Sequence, residues 1–155
     1  MSEASSGLVG AWTLIDYTTT DLAGGRVRHP LGAGARGVLV YTADGYMSVQ
    51  IAADDRSHYA TDELHGGTGA ERASAAAGYL AYAGRFEVSP EGIVTHLIDI
   101  SLFPNWSKRQ IRRRATLRGD LLTLGIVEPI TVDGVSRTGI LTWQRFAPSP
   151  VSASV

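Results

Sequence analysis

The chain has 155 residues, a formal net charge of −1, 44% hydrophobic and 19% charged residues, and no cysteine. That composition suits one globular domain with a sizeable core. It gives no general reason to expect nucleic acid or an anionic membrane as partner, and it excludes disulfide and thiol chemistry.

No apolar run reaches the ~20 residues of a membrane span. Met1 to Gly7 lacks the basic and apolar regions of a signal peptide, so the expectation is a cytoplasmic protein. Residues 1–7 are expected to be disordered, 8–147 to form a single domain and 148–155, rich in Pro, Ser and Ala, to be a flexible tail.

The first strand is predicted from about Val9 to Thr18. Gly10 lets another backbone pass close by, and Trp12 can plug one end of an enclosed space. With Trp12 inward, period two puts Leu14 and Asp16 inward too, and Thr13, Ile15 and Tyr17 outward. Asp21 to Ala35 reads as a long glycine-rich loop in which Pro30 denies a helix.

Gly37 to Thr42 and Tyr46 to Ile51, joined through Asp44-Gly45, form the clearest hairpin. Leu39, Tyr41, Met47 and Val49 are placed inward. Thr68 and Glu71 have capping-box spacing, and Ala70 to Ala77 is a good helix former that Gly78 ends or loosens. Further strands are predicted over Tyr82 to Val88, Ile93 to Ser101, Arg109 to Leu117, Leu121 to Ile126 and Arg137 to Phe146. Pro104 stops the segment after Ser101.

The sum is an all-β chain of eight antiparallel strands, with one short helix between the third and fourth. Eight such strands can close into a barrel just wide enough for side chains or one small ligand.

Several pieces together resemble the bacterial and fungal lipocalin-like domain family. They are Gly10-Ala11-Trp12-Thr13-Leu14, His29-Pro30-Leu31-Gly32, Gly45-Tyr46-Met47-Ser48, Gly78 to Arg85, Ser101 to Trp106 and Leu141 to Arg145. Tyr82-Ala83-Gly84-Arg85 and Phe103-Pro104-Asn105-Trp106 are the most specific. The resemblance covers about Leu8 to Phe146. It implies a calycin barrel with an internal pocket, in which Arg145 from the last strand packs over Trp12 and bonds nearby carbonyls. It transfers no catalytic motif, and proteins of related folds that act as cyclases, isomerases or lyases are analogies of fold.

His96 lies in an aliphatic strand and lines the interior if Val94 and Ile98 face inward. An inward histidine can shuttle a proton near neutral pH. The plainer reading is a histidine hydrogen-bonded across the barrel for structure alone. Arg112, Arg113 and Arg114 are consecutive, so alternation splits them and denies a single basic patch. We favour Arg112 and Arg114 inward, which lets Ile111 cover the outside or meet the helix. An inward arginine needs a carboxylate. Asp16 or Glu128 is the candidate within the chain, and a ligand carboxylate, enolate or polarised carbonyl is the alternative.

Tyr41, Tyr79, Tyr82, Phe103 and Trp106 are the aromatics expected at a pocket or its mouth, though core packing accounts for such residues equally well. Asn105 belongs to a rim loop, where it either bonds a ligand or caps its own turn. The histidines show no metal-ligand spacing, and no nucleotide motif or nucleophile–base arrangement is present, so no cofactor and no metal is expected.

The first functional expectation is a cofactor-free cyclase, isomerase or dehydratase acting on an apolar, oxygenated natural-product intermediate. Arg112 or Tyr41 would polarise a carbonyl, and His96 or Asp16 would move a proton. Leu14, Leu39, Met47, Tyr82, Phe86, Ile98, Phe103, Asn105, Trp106, Arg114 and Trp143 would form the walls. The alternatives are a carrier with the same pocket and no chemistry, and an interaction module filled by its own side chains. Aromatics at the closure loops would equally serve a homodimer contact.

Overall fold

A computed structural model describes residues 3–148. Residues 1–2 and 149–155 lie outside the described residues, and with them nearly all of the expected tail. Ten strands are described: β1 (Gly10–Asp21), β2 (Val27–Arg28), β3 (Arg36–Tyr41), β4 (Tyr46–Ala52), β5 (Tyr79–Val88), β6 (Ile93–Ser101), β7 (Gln110–Arg118), β8 (Leu121–Ile126), β9 (Ile130–Val132) and β10 (Val135–Arg145). The helices are α1 (Glu3–Leu8) and α2 (Gly69–Ala77), with a single 3-10 turn at Pro104–Trp106.

Eight strands pair in the order β1-β3-β4-β5-β6-β7-β8-β10, and β10 pairs back onto β1. The result is a closed antiparallel barrel with no free edge. β2 and β9 are too short to carry a period-two signal. They extend β1 and β10 at the end of the barrel where Asp21 faces Arg137. That end is the mouth.

α2 begins where the capping box places it. The Thr68 side chain accepts from the Glu71 backbone N–H, and the Glu71 side chain accepts from the Thr68 N–H. The opposite end of the barrel is the floor, and there the helix α1 takes in Glu3 to Gly7, part of the segment 1–7 expected to be disordered. This short helix has no periodic apolar face of its own, so tertiary contacts hold it.

Trp12 Nε1 donates to Leu8 O at 2.9 Å. Arg145 donates through one terminal nitrogen to Val9 O and through the other to Gly7 O, each at 2.7 Å. Its guanidinium lies 4.1 Å from the centre of the Trp12 ring, as the family resemblance implies. Gly10 makes this seam possible: its φ is 132°, and a Cβ there would sit 2.8 Å from the Arg145 guanidinium.

Two bulges decide which side chains face inward. In β1, Leu14 pairs with Trp143 but Asp16 pairs with Thr142, so Ile15 is the extra residue. Ile15 and Asp16 are both exposed, and Tyr17, Thr19 and Asp21 turn inward. The expected inward Asp16 and outward Tyr17 are therefore exchanged.

In β6, Ile98 pairs with Gly84 and Ile100 with Ala83, leaving Asp99 as the extra residue. Gly84 lies under this bulge, where a Cβ would be 2.0 Å from Leu97 O. Val94, His96 and Ile98 stay inside, while Ile100 is 68% exposed.

Candidate functional site

The ladder between β6 and β7 places the polar interior. Val94 pairs with Arg113, and His96 with Ile111. Paired residues share a face, so Arg113 and Ile111 turn inward and Arg112 and Arg114 turn outward. The expectation of Arg112 and Arg114 inside is thus corrected. Putting two cations and Gln110 in the core is costlier than putting in Ile111, Arg113 and Ala115. That argument was available in the sequence and points to Arg113. Arg112 instead pairs with Glu128 at the surface. Asp16 is also outside, with its Oδ1 3.2 Å from His29 Nε2.

His96 is completely enclosed between two tyrosines. Tyr41 Oη lies 2.7 Å from Nε2, and Tyr82 Oη lies 2.8 Å from Nδ1. Burial, and secondarily the Arg113 charge, depress its pKa to about 3. The ring is therefore neutral, with one N–H and one lone pair. One phenol donates to it and the other accepts from it. Burial raises the pKa of both Tyr41 and Tyr82, so both hydroxyls stay protonated, and the guanidinium beside Tyr82 offsets part of its rise.

Arg113 is only 8% exposed. It donates to Arg112 O at 3.1 Å. Among the described residues no carboxylate lies within ion-pair distance of it. The other buried cation, Arg137, has one: Asp21, 3.1 Å away and shared with Arg28.

An enclosed cavity of about 30 Å³ lies beside this cluster. Its polar wall is Tyr17, Tyr82, His96, Arg113 and Trp143, and the rest is aliphatic apart from Trp106. Trp143 is buried, and its Nε1 has no hydrogen-bond partner among the described residues. Outside, at the mouth, is an open cleft of about 460 Å³ between Pro30-Leu31, Ala77, Tyr79, Phe103, Arg109 and Pro129 to Val132. Tyr17, Leu80, Trp106 and Ile130 line both spaces and form the neck, the wall where the two adjoin. Trp106 stands edge-on to Tyr82 at 5.8 Å and to Phe103 at 5.7 Å.

Of the residues predicted from sequence, Leu39, Tyr82, His96, Trp106 and Trp143 meet at the cavity. Leu14, Tyr41, Met47, Phe86 and Ile98 are inside the barrel but do not line it. Tyr41 packs against Phe86, with ring centres 4.7 Å apart, and supports His96 from behind. Phe103 belongs to the outer cleft, and Asn105 is exposed and lines neither space. Arg113, Tyr17, Leu80 and Ile130 are among the site residues that the sequence reading missed, with the aliphatic Val49, Ile51, Leu124, Ile126 and Leu141. Tyr17 is hidden by the β1 bulge, and Leu80 and Ile130 by strand ends that no periodicity marks. No group of three or more metal-ligating side chains occurs among the described residues, nor a helix long and apolar enough to cross a membrane.

Residues 9–146 match the family model described as a lipocalin-like domain. The chain is also similar to a protein of Aspergillus oryzae (strain ATCC 42149 / RIB 40) named as a 4'-hydroxy-3'-methoxypropiophenone carrier protein. The two are 34% identical over 107 residues, which cover 64% of this chain and 96% of the other.

Proposed function

The chain belongs to the lipocalin-like domain family, and from that premise we propose that its barrel binds one small, mostly apolar molecule by an oxygen atom and carries it unchanged. The observation that carries this reading is one cavity with largely apolar walls on which Tyr82 and Arg113 place hydrogen-bonding side chains. The name of the Aspergillus oryzae relative fits it, since a propiophenone is an aromatic ring bearing a carbonyl. In this chain such a ring would lie against Trp106 and Phe103, with its oxygen toward Tyr82.

A cofactor-free cyclase or isomerase draws less support. His96 has both ring nitrogens engaged and its pKa held at about 3, so it is a poor proton carrier at neutral pH. Of the other groups assigned to the chemistry, Arg112 and Asp16 face outward, and Tyr41 is buried without lining the cavity.

The test is displacement of the neutral fluorophore N-phenylnaphthylamine by a series of aryl ketones, followed by recovery and chromatography of the ketone. Displacement with unchanged ketone supports a carrier. Conversion of the ketone would replace this reading with catalysis. No displacement by any member would leave a barrel filled by its own side chains.

A further inference from the structure

We propose that the ligand carries a carboxylate head, held by Arg113 in the inner cavity, and that its apolar body passes between Trp106 and Ile130 into the outer cleft. This rests on the carrier reading above and names the class of molecule carried.

The first argument is charge. Arg113 is buried without a carboxylate among the described residues, whereas Arg137, also buried, has Asp21. A guanidinium removed from water is unfavourable unless it is paired. No aspartate or glutamate lines the inner cavity or the outer cleft, so nothing on these walls competes for it or repels an incoming anion. Arg109, on the wall of the outer cleft, adds a second cation along the route.

The second argument is the donor set. Arg113 presents a planar fork that matches a carboxylate with two hydrogen bonds. Tyr82 lines the same cavity with a hydroxyl that stays protonated. A carboxylate offers about four acceptor sites to these donors, and a ketone only two.

The third argument is size. About 30 Å³ is room for roughly two water-sized groups, enough for a two-oxygen head and too little for a ring. The remainder of the molecule has to occupy the outer cleft, about 460 Å³, and the neck residues Tyr17, Leu80, Trp106 and Ile130 connect the two.

The experiment uses the whole chain with N-phenylnaphthylamine as the bound probe. Competitors are phenylbutanoate, its methyl ester and the matching methyl ketone. The expected result is that the acid competes roughly tenfold or more better than the ester. Arg113→Met should erase that preference by weakening the acid far more than the ester, and Arg112→Met, on the outer face, should keep it.

An acid no better than its ester, or a preference that survives Arg113→Met, overturns the proposal. If ester and ketone displace the probe and the acid does not, this inference fails and the carrier reading stands. If none of the three does, both fail. Should Arg113→Met not fold, carbon NMR of carboxyl-labelled phenylbutanoate on the wild-type protein decides. A bound head that stays ionised below the pKa of the free acid supports the proposal, and a protonated bound head overturns it.

Discussion

Arg113 stands directly across from Val94 in the ladder between β6 and β7, and that pairing carries its guanidinium into the barrel. Without a ligand the charge has no protein counter-ion among the described residues. Arg113→Met should therefore stabilise the empty protein, by about 1 kcal/mol or more in urea denaturation. Arg112→Met breaks only the surface pair with Glu128 and should change stability by less than about 1 kcal/mol. A large loss of stability in Arg113→Met would show that its hydrogen bonds, rather than a ligand, account for its burial.

Stability should fall as the pH drops below that of an ordinary histidine. The His96 pKa is about 3 in the folded protein against 6.5 for the free side chain. Between those values the unfolded chain binds the proton and the folded one does not. The stability is complete above the unfolded pKa and is lost as pH falls from there toward the folded pKa. At pH 5 the loss from this group is about 2 kcal/mol. Denaturation curves at neutral pH and at pH 5 measure it. His96→Gln, which keeps a donor and an acceptor, should flatten the difference.

The two tyrosines on His96 should separate in function. Removing either hydroxyl leaves a buried polar partner unpaired, at a cost of about 1–3 kcal/mol. Only Tyr82 lines the cavity. Tyr82→Phe should weaken ligand competition as well as stability, whereas Tyr41→Phe should lower stability and leave the affinity of the folded protein unchanged. Equal losses of affinity would refute the distinction.

At the floor, Trp12→Ala should cost about 3–5 kcal/mol, because Trp12 is wholly buried. Arg145→Met removes the bonds to Gly7 and Val9 but spares the core. Hydrogen exchange should then accelerate over residues 3–8 and stay slow in β3 and β4. Unchanged protection of α1 would contradict the role given to Arg145.

Trp106 shields the inner cavity from the cleft. Trp106→Ala should raise the rate of probe entry in stopped-flow fluorescence, with little change in thermal stability, since the side chain is only partly buried. An unchanged entry rate would mean that ligands reach the cavity by another way.

The parts legible in the sequence are those fixed by local chemistry. Asp44-Gly45 demands a turn, Thr68 and Glu71 cap a helix, and Leu39, Tyr41, Met47 and Val49 alternate without interruption into a core. The illegible parts depend on a neighbour. Nothing between Val9 and Thr18 announces that Ile15 is the extra residue, because a bulge is a relation between two strands. The same holds for α1, whose carbonyls are satisfied by an arginine more than a hundred positions away. Arg113 lies between these cases. Alternation allows two answers, and the cost of burying two cations rather than one selects the correct one.

The bulge at Ile15 makes the composition of the interior a matter of counting. A slip of one residue that gave Ile15 a regular place in the ladder, opposite Thr142, would restore strict alternation from Trp12 onward. Asp16 would turn inward, and Tyr17, Thr19 and Asp21 would turn outward. The neck would lose a wall, Arg137 its counter-ion, and the barrel would acquire a carboxylate near Arg113. No single substitution in β1 reaches so far. A one-residue change of register, rather than any substitution, is therefore what would exchange one inner surface for another in a barrel of this kind while keeping every letter of its sequence.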